Sequence, residues 1–167
     1  MSTSTMTTLR RRAVTATAAL GLALLTTVPS AQADGGVQAA APVTVNFTVT
    51  GPNGVIFDDE ITTDGHTVNP PSGGAHVCDG TNNGANPTPG ATPTAALDDA
   101  ATLGGFDWDG VWYASFDDYL VTTIDGHTQT ADDFWLIEVN GVATPVGGCQ
   151  FRIAAGDQVD FTWTPID

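Results

Sequence analysis

Basic residues are almost missing from this sequence. The 167 residues hold four Lys plus Arg against 19 Asp plus Glu, for a formal charge of −15. Three of the four are Arg10, Arg11 and Arg12, so from Asp34 onward Arg152 alone faces all of the acids. A surface of that sign repels phosphate backbones and anionic lipid, which argues against nucleic acid and membranes as partners. Long apolar runs are absent too. The uncharged stretch Ala13–Val28 is shorter than the roughly 20 residues a spanning helix needs. Histidine is limited to His66, His76 and His127, without His-x-x-x-His spacing, so no zinc set emerges. Neither Ser72 nor Ser115 lies in a Gly-x-Ser-x-Gly elbow, and no glycine-rich phosphate loop is present.

What is there begins with an export signal. The three arginines form a positive n-region, Ala13–Val28 is the apolar h-region, and Ala31-Gln32-Ala33 offers a small-x-small cleavage site. Residues 1–33 are therefore expected to be a secretory signal peptide, 34–42 a short linker and 43–167 a single domain. Arg11-Arg12 leaves both the general and the twin-arginine route open. No cysteine follows the h-region to carry a lipid, so the expected protein is extracellular, released or wall-associated, and monomeric. Cys78 and Cys149 are the only two cysteines, and export places them where disulfides persist. Two free thiols or an intermolecular bond are the alternatives to one internal bridge; compartment and even count favour the bridge. Closing a loop of about 70 residues stabilises a fold by roughly 4 kcal/mol in the chain-entropy model.

Val43, Val45, Phe47 and Val49 alternate with Thr44, Asn46, Thr48 and Thr50, the period-two pattern of a half-buried strand. Gly51-Pro52-Asn53-Gly54 is a turn, and Val55 to Thr62 resumes as a hairpin partner. Residues 69 to 92 are dominated by Pro, Gly, Asn and Thr and read as a long loop that Cys78 ties down. Thr92 can cap a helix opened by Pro93 and stopped by Gly104-Gly105, with Leu97, Ala100, Ala101 and Leu103 as its apolar stripe. Strands are then expected at 111–113, 119–124, 134–139 and 159–163. Asn140-Gly141 is a favoured hairpin turn, and Phe151-Arg152-Ile153 is a further short segment. One helix among six or seven short strands predicts an α+β domain: a small mixed or antiparallel sheet with one helix packed on it.

The order hairpin, loop, helix, strands leads to Phe134-Trp135-x-x-x-Val139-Asn140-Gly141 and then Ala155-Gly156-Asp157-x-Val159-x-Phe161. Over residues 43 to 163 this resembles the transcobalamin C-terminal-like domain, a β-grasp-related family of secreted bacterial proteins, in an actinobacterial version. The resemblance implies a β-grasp-like sheet. It also implies a corrinoid as a candidate ligand, since in animal cobalamin carriers this domain closes over the vitamin beside a helical domain. No residue here matches a corrinoid contact position by position.

Four adjacent acid pairs, Asp58-Asp59, Asp98-Asp99, Asp117-Asp118 and Asp132-Asp133, invite an acid–base reading. Neighbours on a strand point to opposite faces, however, so a pair is not itself a dyad. Asp79-Gly80-Thr81-Asn82-Asn83-Gly84 matches the opening of a calcium loop through Asp79, Thr81 and Asn83, but position twelve is Gly90 where the bidentate Glu belongs. The remaining candidates are Trp108, Trp112, Tyr113, Phe116 and Tyr119, interleaved with Asp107, Asp109, Asp117 and Asp118. Rings flanked by carboxylates suit a sugar or flat heterocycle; packing in a small core is the competing use of the same rings. The expectation is a non-catalytic binding module without a cofactor, for a small ligand or protein partner. Its ligand site is placed at Trp108, Trp112, Tyr113 and Tyr119, near the 79–84 loop. A small hydrolase using acidic and His residues, and a calcium-stabilised wall-associated domain, are the alternatives.

Overall fold

The computed structural model describes residues 41–166. The expected signal peptide, and all but the last two residues of the 34–42 linker, lie outside them. In chain order the elements are β1 (Val43–Gly51), β2 (Gly54–Thr63), β3 (His66–Val68), β4 (His76–Cys78), α1 (Pro93–Gly104), β5 (Trp108–Tyr113), β6 (Asp118–Ile124), β7 (His127–Thr128), β8 (Asp133–Val139), β9 (Val142–Ala143) and β10 (Gln158–Pro165).

The main sheet has the order β2-β1-β10-β8-β9. Its central pair, β1 and β10, runs parallel with Phe47 opposite Val159 and Val49 opposite Phe161, and antiparallel hairpins flank it on both sides. First and last strands side by side at the centre, with one helix laid on the sheet, make the α+β, β-grasp-like fold anticipated from the sequence. The alternation in β1 sorts as expected: Val45, Phe47 and Val49 are buried while Thr44 and Asn46 are exposed. Phe47 and Phe161, both fully buried, meet at 5.7 Å between ring centroids.

Thr92 Oγ1 accepts from the Ala95 amide, Pro93 opens α1, and Gly105 at φ 71° ends it with its amide on the Ala101 carbonyl. Pro93, Ala96, Leu97, Ala100 and Ala101 are buried. Leu103, expected in the stripe, is instead 63% exposed, because it sits on the last turn beyond the sheet-facing arc. The 69–92 segment is not wholly loop: β4 forms in it and pairs with β3, His66 opposite Cys78. Three residues between Pro and Gly runs are too few to show a period. Phe151–Ile153 makes no strand.

Cys78 and Cys149 are joined by a disulfide, Cα to Cα 4.5 Å across 71 positions. It fastens β4 to the segment that follows β9, and Gly80 N–H adds a hydrogen bond to the Cys149 carbonyl at 3.0 Å. No helix of the described residues is long and apolar enough to cross a membrane.

Candidate functional site

The antiparallel β5–β6 hairpin divides the aromatic–acidic segment by strand period. Trp112, Tyr119 and Val121 face inward, whereas Val111, Tyr113, Asp118 and Leu120 lie on the other face. Three of the four rings assigned to a site stay together, Tyr119 meeting Trp108 and Trp112 edge-on at 5.8 and 4.8 Å between centroids, while Tyr113 lies on the other face. Trp108 is buried, and its indole N–H donates to Asp98 Oδ1 at 2.9 Å. Tyr119 is buried as well; its hydroxyl donates to the Gly74 and Val68 carbonyls, and burial pushes its pKa up to about 12. Trp112 is half-buried and stacks on His76, centroids 4.0 Å apart and planes 5° apart. Tyr113 alone of the four is exposed. These rings do not form one platform: inward-facing rings on a small sheet become its core.

The outward face carries the cleft. Tyr113, Phe116, Leu120, Pro145 and Val146 wall a space of about 400 Å³, with Asp118, Tyr119, Gly147 and Gln150 completing it. Phe116 is 65% exposed, and Tyr113, Leu120 and Val146 are each at least 40% exposed, so an apolar surface stands open to water. The volume lies within the range of small-ligand sites, about 300–1,000 Å³.

One charged group lies in this apolar setting. Asp118 is 5% exposed. Its Oδ1 accepts from the Tyr119 amide at 2.7 Å and the Cys149 amide at 3.0 Å, tying β6 to the disulfide-bearing turn. The Gln150 amide leans toward the same carboxyl, but its hydrogen bond goes to the Gly147 carbonyl at 3.1 Å. Oδ2 is thus left buried without a partner. It lies against Gly147, where any Cβ would overlap the carboxyl; glycine is required for the turn to close over it. Burial raises the Asp118 pKa to about 6 against the pull of those amides, and Asp117 adds a like charge. Asp117 itself, at φ 52°, turns away and accepts from the Asn83 amide at 2.9 Å. That contact brings the 79–84 loop against the segment, as expected.

Elsewhere the candidate groups are engaged with one another. In the 79–84 loop Asp79 Oδ1 accepts from Thr81 N–H at 3.0 Å and Thr81 hydroxyl at 2.6 Å, an Asx-type turn. Arg152 lies over Gly80 and Gly90 and donates to Thr88. Among the described residues no group of three or more His, Cys, Asp or Glu is arranged to hold a metal ion. Ser72 donates its hydroxyl to Asp109 Oδ2 at 2.6 Å and its amide to Oδ1.

Among the described residues, histidine meets several acids at His66. Nε2 lies 3.5 Å from Asp98 Oδ2, and Nδ1 lies 3.0 Å from the Asp64 carbonyl and 4.0 Å from Asp99 Oδ2. The hydrogen bond to Asp98 raises the His66 pKa to about 9 despite opposing burial, with Asp99 helping. The same bond lowers the pKa of Asp98, whereas burial raises that of Asp99. Asp98 also takes the Trp108 N–H, so both of its oxygens are occupied. This cluster joins β3, α1 and β5.

Leu120, Pro145 and Val146 are not among the site residues the sequence suggests, and Asp118 enters there only as one of the acids interleaved with the rings. The available signal was Pro145-Val146-Gly147-Gly148-Cys149, an apolar pair and two glycines leading into a bridged cysteine.

A family model described as a domain of unknown function (DUF4430) matches residues 106–165, which include every residue lining the cleft. No curated protein matches the chain. Among solved structures, haptocorrin in complex with Cbi is similar at 13% identity with a TM-score of 0.44, over 76% of this chain and 26% of that one. The chain thus spans about a quarter of the length of that protein.

Proposed function

We propose that the chain is an exported, non-catalytic binding module of the transcobalamin C-terminal-like kind, and that it takes a small organic ligand in the cleft between Tyr113, Phe116, Leu120 and the 145–150 turn. The observation that carries this reading is an open apolar cleft with one buried carboxyl whose second oxygen has no partner. Apolar walls supply binding area and a few placed polar groups supply orientation, which is the usual constitution of a ligand site. The binding reading is also favoured over a hydrolytic one by the lining itself. Among the described residues that form it there is one carboxyl, held by two backbone amides, and no Ser, Cys or His to act as nucleophile or base. Export is supported by the three-part N-terminal signal together with the Cys78–Cys149 bridge, which belongs to oxidising compartments.

The test is a thermal-shift panel on the purified protein, with corrinoids, glycans, aromatic amines and Ca²⁺ as probes. A probe at 100 times its Kd stabilises by about 2.7 kcal/mol. The expected result is a shift given by at least one organic probe and lost in Phe116→Ala and Leu120→Asp, both at exposed positions. A shift that survives both substitutions refutes the location, and a shift from Ca²⁺ alone replaces this reading with the calcium-stabilised one.

A further inference from the structure

We infer that the cleft selects a ligand carrying a positive charge on an apolar body, an aryl-alkyl ammonium or its like, with Asp118 as the charge-reading residue. The inference rests on the cleft being the binding site and adds the chemical class of what it holds.

Three features of the cleft and its surroundings converge. The walls are rings and aliphatic side chains: Tyr113, Phe116 and Leu120 from the β5–β6 hairpin, Pro145 and Val146 from the 145–150 turn. Such walls accept a hydrophobic body, and aromatic faces attract a cation directly. The only ionisable group of acidic range in the lining is Asp118, nine-tenths or more buried, with Oδ2 unpartnered beneath Gly147. An unpaired oxygen in a poorly screened setting is a cost to the empty protein that a nearby cation removes. Finally, no arginine or lysine competes for that role. Arg152 is the one such residue from Asp34 onward, and its guanidinium is committed to Thr88 over Gly80 and Gly90. A chain with 19 acids also draws cations toward it from a distance.

Anionic ligands are disfavoured by the same geometry, since Asp118 puts a like charge in the cleft wall. Neutral ligands gain the walls and leave Oδ2 as it was. Direct contact with Oδ2 needs the Gly147–Gly148 stretch to give way slightly; short of contact, the carboxylate acts on the cation through the cleft wall. The groups facing Asp118 are the Tyr119 and Cys149 amides, the Gln150 amide, and Asp117 in the turn just before its strand, so no positively charged side chain answers its charge.

Three probes with one ring system decide the matter: tryptamine (cation), tryptophol (neutral) and indole-3-propionate (anion). Their affinities are measured by calorimetry at pH 7.5 in 50 mM and 300 mM salt. The expected order is tryptamine tightest, at least tenfold over tryptophol, with indole-3-propionate weakest. Asp118→Asn brings the tryptamine-to-tryptophol ratio to within about twofold of one. Asp58→Asn, an exposed acid on the edge strand β2, leaves the ratio as it was. Equal affinities for all three probes overturn the charge inference while leaving the cleft as a site. A ratio narrowed as much by Asp58→Asn as by Asp118→Asn, and erased by 300 mM salt, assigns the preference to the diffuse acidic field and overturns the role of Asp118. Binding by none of the three overturns the inference and the site together.

Discussion

Replacing Asp118 by Asn changes how stability depends on pH, and the size of the change follows from burial. In the folded protein the Asp118 pKa stands at about 6, against an ordinary value of 3.8. Between those values the folded state binds more protons than the unfolded one, so stability falls as pH rises from about 4 to above 6. A shift of roughly two units is worth about 3 kcal/mol at 1.36 kcal/mol per unit. Below pH 3.8 this contribution is constant, and above pH 7 the full penalty of a buried carboxylate is present. Asn keeps an oxygen for the Tyr119 and Cys149 amides and carries no charge, so its variant lacks this slope. The quantity to measure is the stability of the variant minus that of the parent, by urea denaturation with the disulfide intact, at pH 4.5 and at pH 8. Any fixed packing cost of the amide group cancels between the two pH values, as do contributions from groups common to both proteins. The difference should rise by about 2–3 kcal/mol in favour of Asn on going to pH 8. Parallel pH profiles would falsify the burial argument and remove the ground for treating Asp118 as strained by its site. A rise of the expected size identifies a position where the fold gives up stability for a polar group in an apolar cleft, the usual mark of function.

His66 carries the opposite charge to Asp118 and has the same pH direction. With its folded pKa at about 9, against 6.5, His66 contributes stability that is full below pH 6.5 and lost as pH rises through 9; after screening of this partly exposed group it amounts to on the order of 1–2 kcal/mol, and His66→Gln should flatten denaturation midpoints between pH 6.5 and 9. Opening the Cys78–Cys149 bridge by Cys149→Ala with Cys78→Ala should cost roughly 4 kcal/mol, read by denaturant titration, and unreduced peptide maps of the parent should contain the cross-linked pair. Trp108→Ala removes a buried ring and its bond to Asp98, so a loss of about 3–5 kcal/mol is expected, whereas Phe116→Ala at an exposed position should stay within about 0.5 kcal/mol of the parent. Equal losses in the two variants contradict the inward and outward assignment of the rings.

The β1 alternation, the Thr92-Pro93 start and Gly104-Gly105 stop of α1, and the Asn140-Gly141 turn could all be read in the sequence. Each is set by interactions within a few residues of the chain: side-chain period, a capping hydroxyl, a backbone needing positive φ. Even the pairing of the cysteines needed only their number and a compartment. The parallel contact of β1 with β10 was of another kind, because it joins residues more than a hundred positions apart through hydrogen bonds that any two strands can make. The fate of the rings was likewise undecided by local pattern. Trp108, Trp112, Tyr113, Phe116 and Tyr119 look alike as a cluster, yet α1 and β3–β4 cover one face of their hairpin while the other stays open beside the 145–150 turn. Asp118 shows the same limit most sharply. In sequence it is one of four Asp-Asp pairs on an acidic chain. Only the Cys149 turn, brought across by the disulfide and closed by Gly147, removes its carboxyl from water and makes it differ from Asp117 one residue away. Which residue is buried depends on what the rest of the chain places over it, and that is a property of long-range packing.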